Sequence, residues 1–253
     1  MIDVHAHLDD ARFDPDRPAL IAALREAGIR RVLNAGSNHE SCRRTLRLAA
    51  ENDFIYAAIG IYPHDTAELE RGGPAALRAL AQAPKVAAIG EIGLDYNYDT
   101  VARPVQKKWF HDQLGLAEEL KLPVVIHSRD AMRDTLDILR AHPRVTGIFH
   151  CFSGSPETLR EVLALGFSIS LGGVVTFHNA KTAKEVAAAV PADRLMLETD
   201  SPYLTPVPFR GKRNSPLYLP QIAEEIGRLR GIGAGEVEAF CDQNALRMFR
   251  LEG

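Results

Sequence analysis

Pro123-Val124-Val125-Ile126-His127 is an apolar run too short to be a surface helix, and it ends on an imidazole. A longer stretch with helical spacing follows, Ala131–Ala141, and then another short apolar run, Gly147–His150. The same alternation extends outward in both directions. Strands are expected at Ile2–His5, Arg31–Ala35, Ile55–Gly60, Val86–Glu91, Phe167–Leu171 and Arg194–Thr199. Helical patterns fall at Pro18–Ala27, His39–Glu51, Pro74–Ala81, Val105–Leu120, Pro156–Leu165 and Ala180–Ala189, with Asp16, Ser155 and Asn179 as expected N-caps. Eight strands alternating with helices over roughly 200 residues predict an α/β chain folded as a (β/α)8 TIM barrel, with chemistry at the C-terminal strand ends. An open doubly wound sheet is the competing arrangement. Two further helices, Leu217–Arg230 and Gly235–Leu251, are expected to pack on the barrel, separated by Gly231 and Gly233.

Composition agrees with a globular fold. The 253 residues are 46% hydrophobic and 25% charged, which excludes disordered and fibrous classes. No linker-like stretch divides the chain, so 1–253 is expected to be one domain. Thirty Lys and Arg against 33 Asp and Glu leave a net charge of −3, so a polyanion would have to be met locally. Cys42, Cys151 and Cys241 are widely separated, which argues against a disulfide framework and fits a reducing cytoplasm. The N-terminus lacks a signal-peptide pattern, and no uninterrupted apolar run reaches about 18 residues, so no membrane association is expected. Ser201–Pro220, with five prolines, is expected to be a functional loop after the last strand.

Asp3-Val4-His5-Ala6-His7 carries the sharpest chemical signal. Positions two apart on a strand share a face, so His5 and His7 can offer two imidazoles to one metal. Glu91, His127, His150 and Asp200 stand at or just beyond the ends of other expected strands, on the barrel face where chemistry belongs. Imidazole and carboxylate donors together suit zinc, manganese or magnesium, and a carboxylate between two histidine groups can bridge two cations.

Six segments then resemble the TatD-like metal-dependent hydrolases, DNase-type members of the amidohydrolase-like barrels. They are Asp3-Val4-His5-Ala6-His7-Leu8-Asp9, Gly60-Ile61-Tyr62-Pro63-His64, Gly90-Glu91-Ile92-Gly93-Leu94-Asp95-Tyr96, Ile126-His127-Ser128-Arg129-Asp130-Ala131, His150-Cys151-Phe152-Ser153-Gly154 and Glu198-Thr199-Asp200-Ser201-Pro202-Tyr203-Leu204. The resemblance implies that His5, His7, Glu91 and Asp200 hold one metal and that Glu91, His127 and His150 hold a second. Tyr62-Pro63-His64 stands where the family often has His-Pro-His. Arg210-Gly211-Lys212-Arg213-Asn214 resembles the family's glycine-lysine-arginine-asparagine element.

These residues lead to an expected metal-dependent deoxyribonuclease that trims single-stranded or frayed DNA ends through a water activated by two divalent metals (Mg, Mn or Zn). Glu91 and Asp200 are the expected catalytic carboxylates, with Asp200 taking the water's proton. His64 is expected at the scissile group or leaving oxygen, and Arg129, Lys212 and Arg213 are expected on phosphates. A small-molecule amidohydrolase or phosphoesterase using the same metals is the alternative, as is a non-catalytic binding barrel. The expected partner is DNA as substrate, with the chain monomeric and without a stable protein partner.

Other residues have plainer readings. Asp3 is expected to orient a histidine through its second ring nitrogen. His39, His111 and His142 read as solvated, and His178 as a loop residue before a helix rather than one at the mouth. Cys151 should point away from His150 as an inert thiol, and Trp109 and Phe110 should be core. Tyr96, Tyr98 and Tyr203 would either stack on a base or fill the rim.

Overall fold

The computed structural model describes residues 1–66, 75–98 and 100–251. Its strands are β1 (Ile2–Ala6), β2 (Arg31–Ala35), β3 (Ile55–Ile59), β4 (Val86–Asp95), β5 (Val124–Arg129), β6 (Gly147–Phe149), β7 (Ser168–Leu171) and β8 (Leu195–Leu197). Neighbours pair in chain order and always in parallel. The two edges meet where Asp200 N donates to His5 O at 2.9 Å and His7 N to Ser201 O at 2.8 Å, so β1 and the segment after β8 close the barrel.

Helices intervene as expected: α1 (Arg17–Glu26), α2 (His39–Glu51), α3 (75–81), α4 (Arg103–Leu120), α5 (Met132–Arg140), α6 (Pro156–Ala164) and α7 (Lys181–Ala189). Pro74, the expected start of α3, lies outside the described residues. α8 (Leu219–Arg230) and α9 (Ala234–Phe249) form the C-terminal pair, with Gly231 closing α8 at φ +69°. That left-handed cap is the conformation glycine adopts without steric cost. Among the described residues no helix is long and apolar enough to cross a membrane.

Packing follows the sequence pattern. Val4, Leu33, Ala58, Val125, Ile148 and Met196, from six strands, gather with Phe249 and Leu251 at the end of α9 in one apolar cluster. A larger cluster joins the strands to the helices and takes in Trp109 and Phe110, which are core as expected. Fully burying side chains of this size contributes roughly 1.5–3 kcal/mol each.

Two local expectations need correction. β4 runs on past Glu91 to Asp95, because a register shift between Ile89 and Ile92 and the positive φ of Gly93 (+143°) let it continue along β5. A Cβ at Gly93 would lie 2.0 Å from His127 O, so only glycine fits there. Among the expected caps, Ser155 accepts from Thr158 N, but the Asp16 side chain is taken by Arg213, and Ala180 rather than Asn179 precedes α7. The proline-rich segment, expected as a functional loop after the last strand, is tied to that strand's end: Asn214 Nδ2 donates to Thr199 O at 2.8 Å and to Tyr203 O at 2.6 Å.

Candidate metal centre

His5, His7, Glu91, His127, His150 and Asp200 converge at the C-terminal end of the barrel. Glu91 lies at the centre and is buried. Its Oε1 is 2.9 Å from His127 Nδ1 and 2.9 Å from His150 Nε2, while those two nitrogens are 3.1 Å apart. Its Oε2 is 3.5 Å from His5 Nε2 and 3.6 Å from His7 Nε2, themselves 3.1 Å apart. Asp200 Oδ1 completes the second group, 3.6 Å from His5 Nε2 and 3.4 Å from His7 Nε2. Each oxygen of one carboxylate therefore addresses its own imidazole pair.

Neighbouring groups fix which ring nitrogens carry lone pairs. His7 Nδ1 lies 2.9 Å from Ala35 O, a pure acceptor, so Nδ1 bears the hydrogen and Nε2 turns its lone pair inward. His127 Nε2 lies 3.2 Å from Asp95 Oδ2, which leaves Nδ1 for the site in the same way. Lone pairs about 3 Å apart repel unless a positive charge sits among them. The donor set thus fits divalent cations of the zinc, manganese and magnesium kind.

The electrostatics point the same way. Burial opposes charge on His7, but the hydrogen bond to Asp200 and the charges of Glu91, Asp200 and Asp9 outweigh it and raise its pKa to about 10. His127 is raised to about 9, with Asp95 and Glu91 overcoming burial. Burial and the neighbouring His150 drive His5 down to about 4. Glu91 is held well below the usual carboxylate range, the surrounding histidines outweighing its burial. The cage is short of positive charge, and protons and cations compete to supply it.

Two carboxylates escaped the sequence reading as site residues. Asp95, fully buried at the end of β4, accepts from the Tyr62 hydroxyl at 2.6 Å and fixes His127. Glu198 stands with Oε1 3.8 Å from His150 Nδ1, accepts from Ser170 Oγ, and is pushed up to about 8 by burial. Both lie inside quoted motifs, four residues after Glu91 and two before Asp200. Tyr62 replaces the family's frequent histidine with a hydroxyl that donates to Asp95 and lies 3.3 Å from His127 Nε2.

A cleft of about 880 Å³ opens over the cage and is lined in part by His7, Glu91, His127, Arg129, Asp200 and Tyr203. Arg129 is exposed at the end of β5. Lys212 and Arg213 do not line the cleft; Arg213 is clamped by Asp16 at 2.8 and 2.6 Å, and Lys212 Nζ rests 5.6 Å from the Phe209 ring. His64 turns toward Thr100 Oγ1 (2.5 Å) and Asp95 (3.6 Å) and is likewise not among the lining residues.

Asp3 departs from its expected role: it accepts from Thr199 and from the His5 backbone N–H, not from a histidine ring. Cys151 also departs, because β6 ends at Phe149 and strand alternation no longer applies; it lines the cleft. Its thiol remains inert, since burial and the nearby carboxylates raise its pKa well above the usual value. His178 is exposed and paired with Asn179, away from the cleft. His111 is exposed as expected, whereas His142 is only partly so and lies 3.0 Å from His111. His39 too is only partly exposed. A second hollow, about 750 Å³, lies at the opposite end of the barrel beside Tyr56, Lys85 and Arg250, remote from every residue of the cage.

Comparison with known proteins gives a consistent result. A model of the family described as TatD-related DNase matches residues 2–250. An uncharacterized metal-dependent hydrolase, YabD of Bacillus subtilis, is 42% identical, the alignment covering 99% of each chain. The protein named 3'-5' ssDNA/RNA exonuclease TatD of Pantoea vagans is 37% identical over 99% of this chain and 100% of its own length. The crystal structure of YjjV, a TatD homologue of Escherichia coli K12, superposes with a TM-score of 0.93 at 30% identity, covering 100% of this chain and 98% of that one.

Proposed function

The chain belongs to the TatD-related DNase family of metal-dependent hydrolases, and from that membership we propose that it is a two-cation phosphodiesterase trimming the ends of single-stranded or frayed DNA. One observation carries the reading: Glu91 directs Oε1 to His127 and His150 and Oε2 to His5 and His7, the arrangement of a bridging carboxylate. His5, His7, Asp200 and Glu91 would hold one cation, and Glu91, His127 and His150 the other. Bound there, the cations would supply the charge that acidifies water and polarises a phosphodiester.

The chain's own residues do the rest. Glu91 fixes the separation of the two sites. Asp200, with Oδ1 committed to the side of His5 and His7, takes the attacking water's proton on Oδ2, a role worth about 10²–10⁴ in rate. Arg129, the exposed guanidinium of the cleft wall, forks onto the phosphate oxygens. Asp95 keeps His127 oriented.

Preference for an end is supported by charge. Acidic Asp9, Asp10, Glu40 and Asp65 also line the cleft, so it offers no continuous basic track for the middle of a duplex. The test compares a linear single-stranded oligonucleotide, its covalently closed circle, a phosphomonoester and an amide. The linear strand is expected to be cut fastest. Equal rates on the circle would refute end trimming, and preference for the amide or monoester would return the protein to the small-molecule alternative.

A further inference from the structure

Two tyrosines in the cleft have no part in the chemistry above. Tyr98 is 52% and Tyr203 46% exposed, and both line the cleft. The one other large apolar side chain so exposed among the described residues, Val207, does not line it. Each ring carries a guanidinium: Arg12 Cζ stands 4.0 Å from the Tyr203 centroid and Arg129 Cζ 5.3 Å from that of Tyr98. Arg12 is itself held by Asp10 through two contacts of 2.9 Å.

The rings flank the cage on different sides. Tyr203 and His7 meet in a T-shaped contact, at 6.2 Å between centroids, beside the His5, His7 and Asp200 group. Tyr98 meets His64 at 5.6 Å, and the ring sequence continues through Tyr62 to His127 in the other group. Tyr96, by contrast, donates its hydroxyl to Asp134 and is not a cleft residue.

Resting on the nuclease reading, we infer that Tyr203 and Tyr98 are stacking platforms for the two nucleobases on either side of the scissile phosphate. A guanidinium braces each ring, and its exposed part is left for a planar ligand. With a net charge of −3, and with Asp9, Asp10, Glu40 and Asp65 beside Arg44 and Arg129 in the lining, phosphate attraction is confined to the cage and a few side chains, so base stacking adds the affinity that a basic track would otherwise supply. Stacking on tyrosine tolerates every base, because each presents a π face, so the ligand class is single-stranded nucleic acid without sequence preference. A paired duplex base is already stacked and cannot use the platforms.

The experiment measures kcat/KM on a linear ten-nucleotide oligothymidylate and on a chain of ten abasic tetrahydrofuran nucleotides with the same phosphates. Wild-type protein is expected to favour the base-bearing strand by about 25-fold or more, since each stacked base is worth roughly 5- to 140-fold. Tyr203→Ala and Tyr98→Ala should each cut that preference about 5-fold or more, with Phe at either position restoring it. If an Ala variant loses its circular dichroism signature, Tyr→Leu keeps the bulk without the π face and should show the same loss. Cleavage of both strands at equal rates by wild-type protein, or a preference unchanged in the variants, overturns the platforms while leaving the nuclease standing. Failure to hydrolyse either strand overturns the nuclease reading and the platforms with it.

Discussion

Glu91 concentrates the chemistry among single residues, because its carboxylate lies within 3.6 Å of all four imidazoles. Glu91→Gln and Asp200→Asn are each expected to lower the hydrolytic rate at least about 100-fold with circular dichroism unchanged. Near-normal turnover in either variant would remove that residue from its role. Asp95 acts one step away, through His127. Asp95→Asn should weaken divalent-cation affinity about 10- to 100-fold, read by isothermal titration, and an unchanged affinity would show that His127 needs no such partner. The six cage residues were legible in the sequence because strand alternation and strand-end position are one-dimensional properties. Asp95 was not: β4 appeared to stop at Glu91, and its continuation depends on a register shift and on the close approach of Gly93 to His127 O. Arg213 shows the opposite failure, a basic residue in a suggestive motif whose charge is already met by Asp16 on the preceding side of the barrel rim.

Among the elements, α4 does most to position the site from outside the barrel. Its buried face includes two glutamines, and each clamps a loop or strand end with both amide atoms. Gln113 bonds Ile61 N at 2.8 Å and Ile61 O at 3.1 Å, fixing the turn that presents Tyr62. Gln106 bonds Asp95 N at 2.9 Å and Asp95 O at 3.0 Å. Helical periodicity identifies α4 and places Trp109 and Phe110 in the core, but it treats a buried glutamine as an exception to the pattern. What that glutamine binds is a tertiary fact. Gln106→Leu would leave a buried N–H and C=O unpaired, at a cost of about 1–3 kcal/mol each. Urea denaturation should therefore show a loss of roughly 2–6 kcal/mol, accompanied by weaker cation binding as Asp95 shifts. A Gln106→Leu protein of wild-type stability would mean that the clamp contributes nothing.

For the whole molecule, the barrel is a scaffold that forces like-charged and lone-pair-bearing groups together, and pH exposes the consequence. Asp95 and Glu91, overcoming burial, raise His127 to about 9, and Asp200 and Glu91 raise His7 to about 10. Their charged forms are favoured by folding, so that contribution is complete below the ordinary histidine value and disappears as pH climbs through the folded values. Burial raises Asp3 to about 7 and Glu198 to about 8, so these acids also hold protons more tightly in the folded state. Every one of these shifts makes the metal-free protein less stable as pH rises from about 6 to about 9. Cations displace the protons of His7 and His127, so their binding strengthens over that interval. The difference in Tm between metal-loaded and chelator-treated protein should widen from about pH 6 to about pH 9; a constant or shrinking difference would contradict the shared-cage picture. The barrel itself was legible because each strand is a short apolar run followed by a helical pattern. Its closure was not, since the bonds joining β1 to the segment after β8 link residues nearly 200 positions apart.

One titration tests whether Glu91, with an imidazole pair on each oxygen, would hold two cations that hydrolysis requires. Chelator-stripped protein is mixed with increasing manganese while hydrolysis of an end-labelled linear single strand is followed. No hydrolysis is expected without metal, and the rate should rise until two equivalents per chain are bound. Full activity in metal-free protein, or saturation at one equivalent, would contradict that expectation.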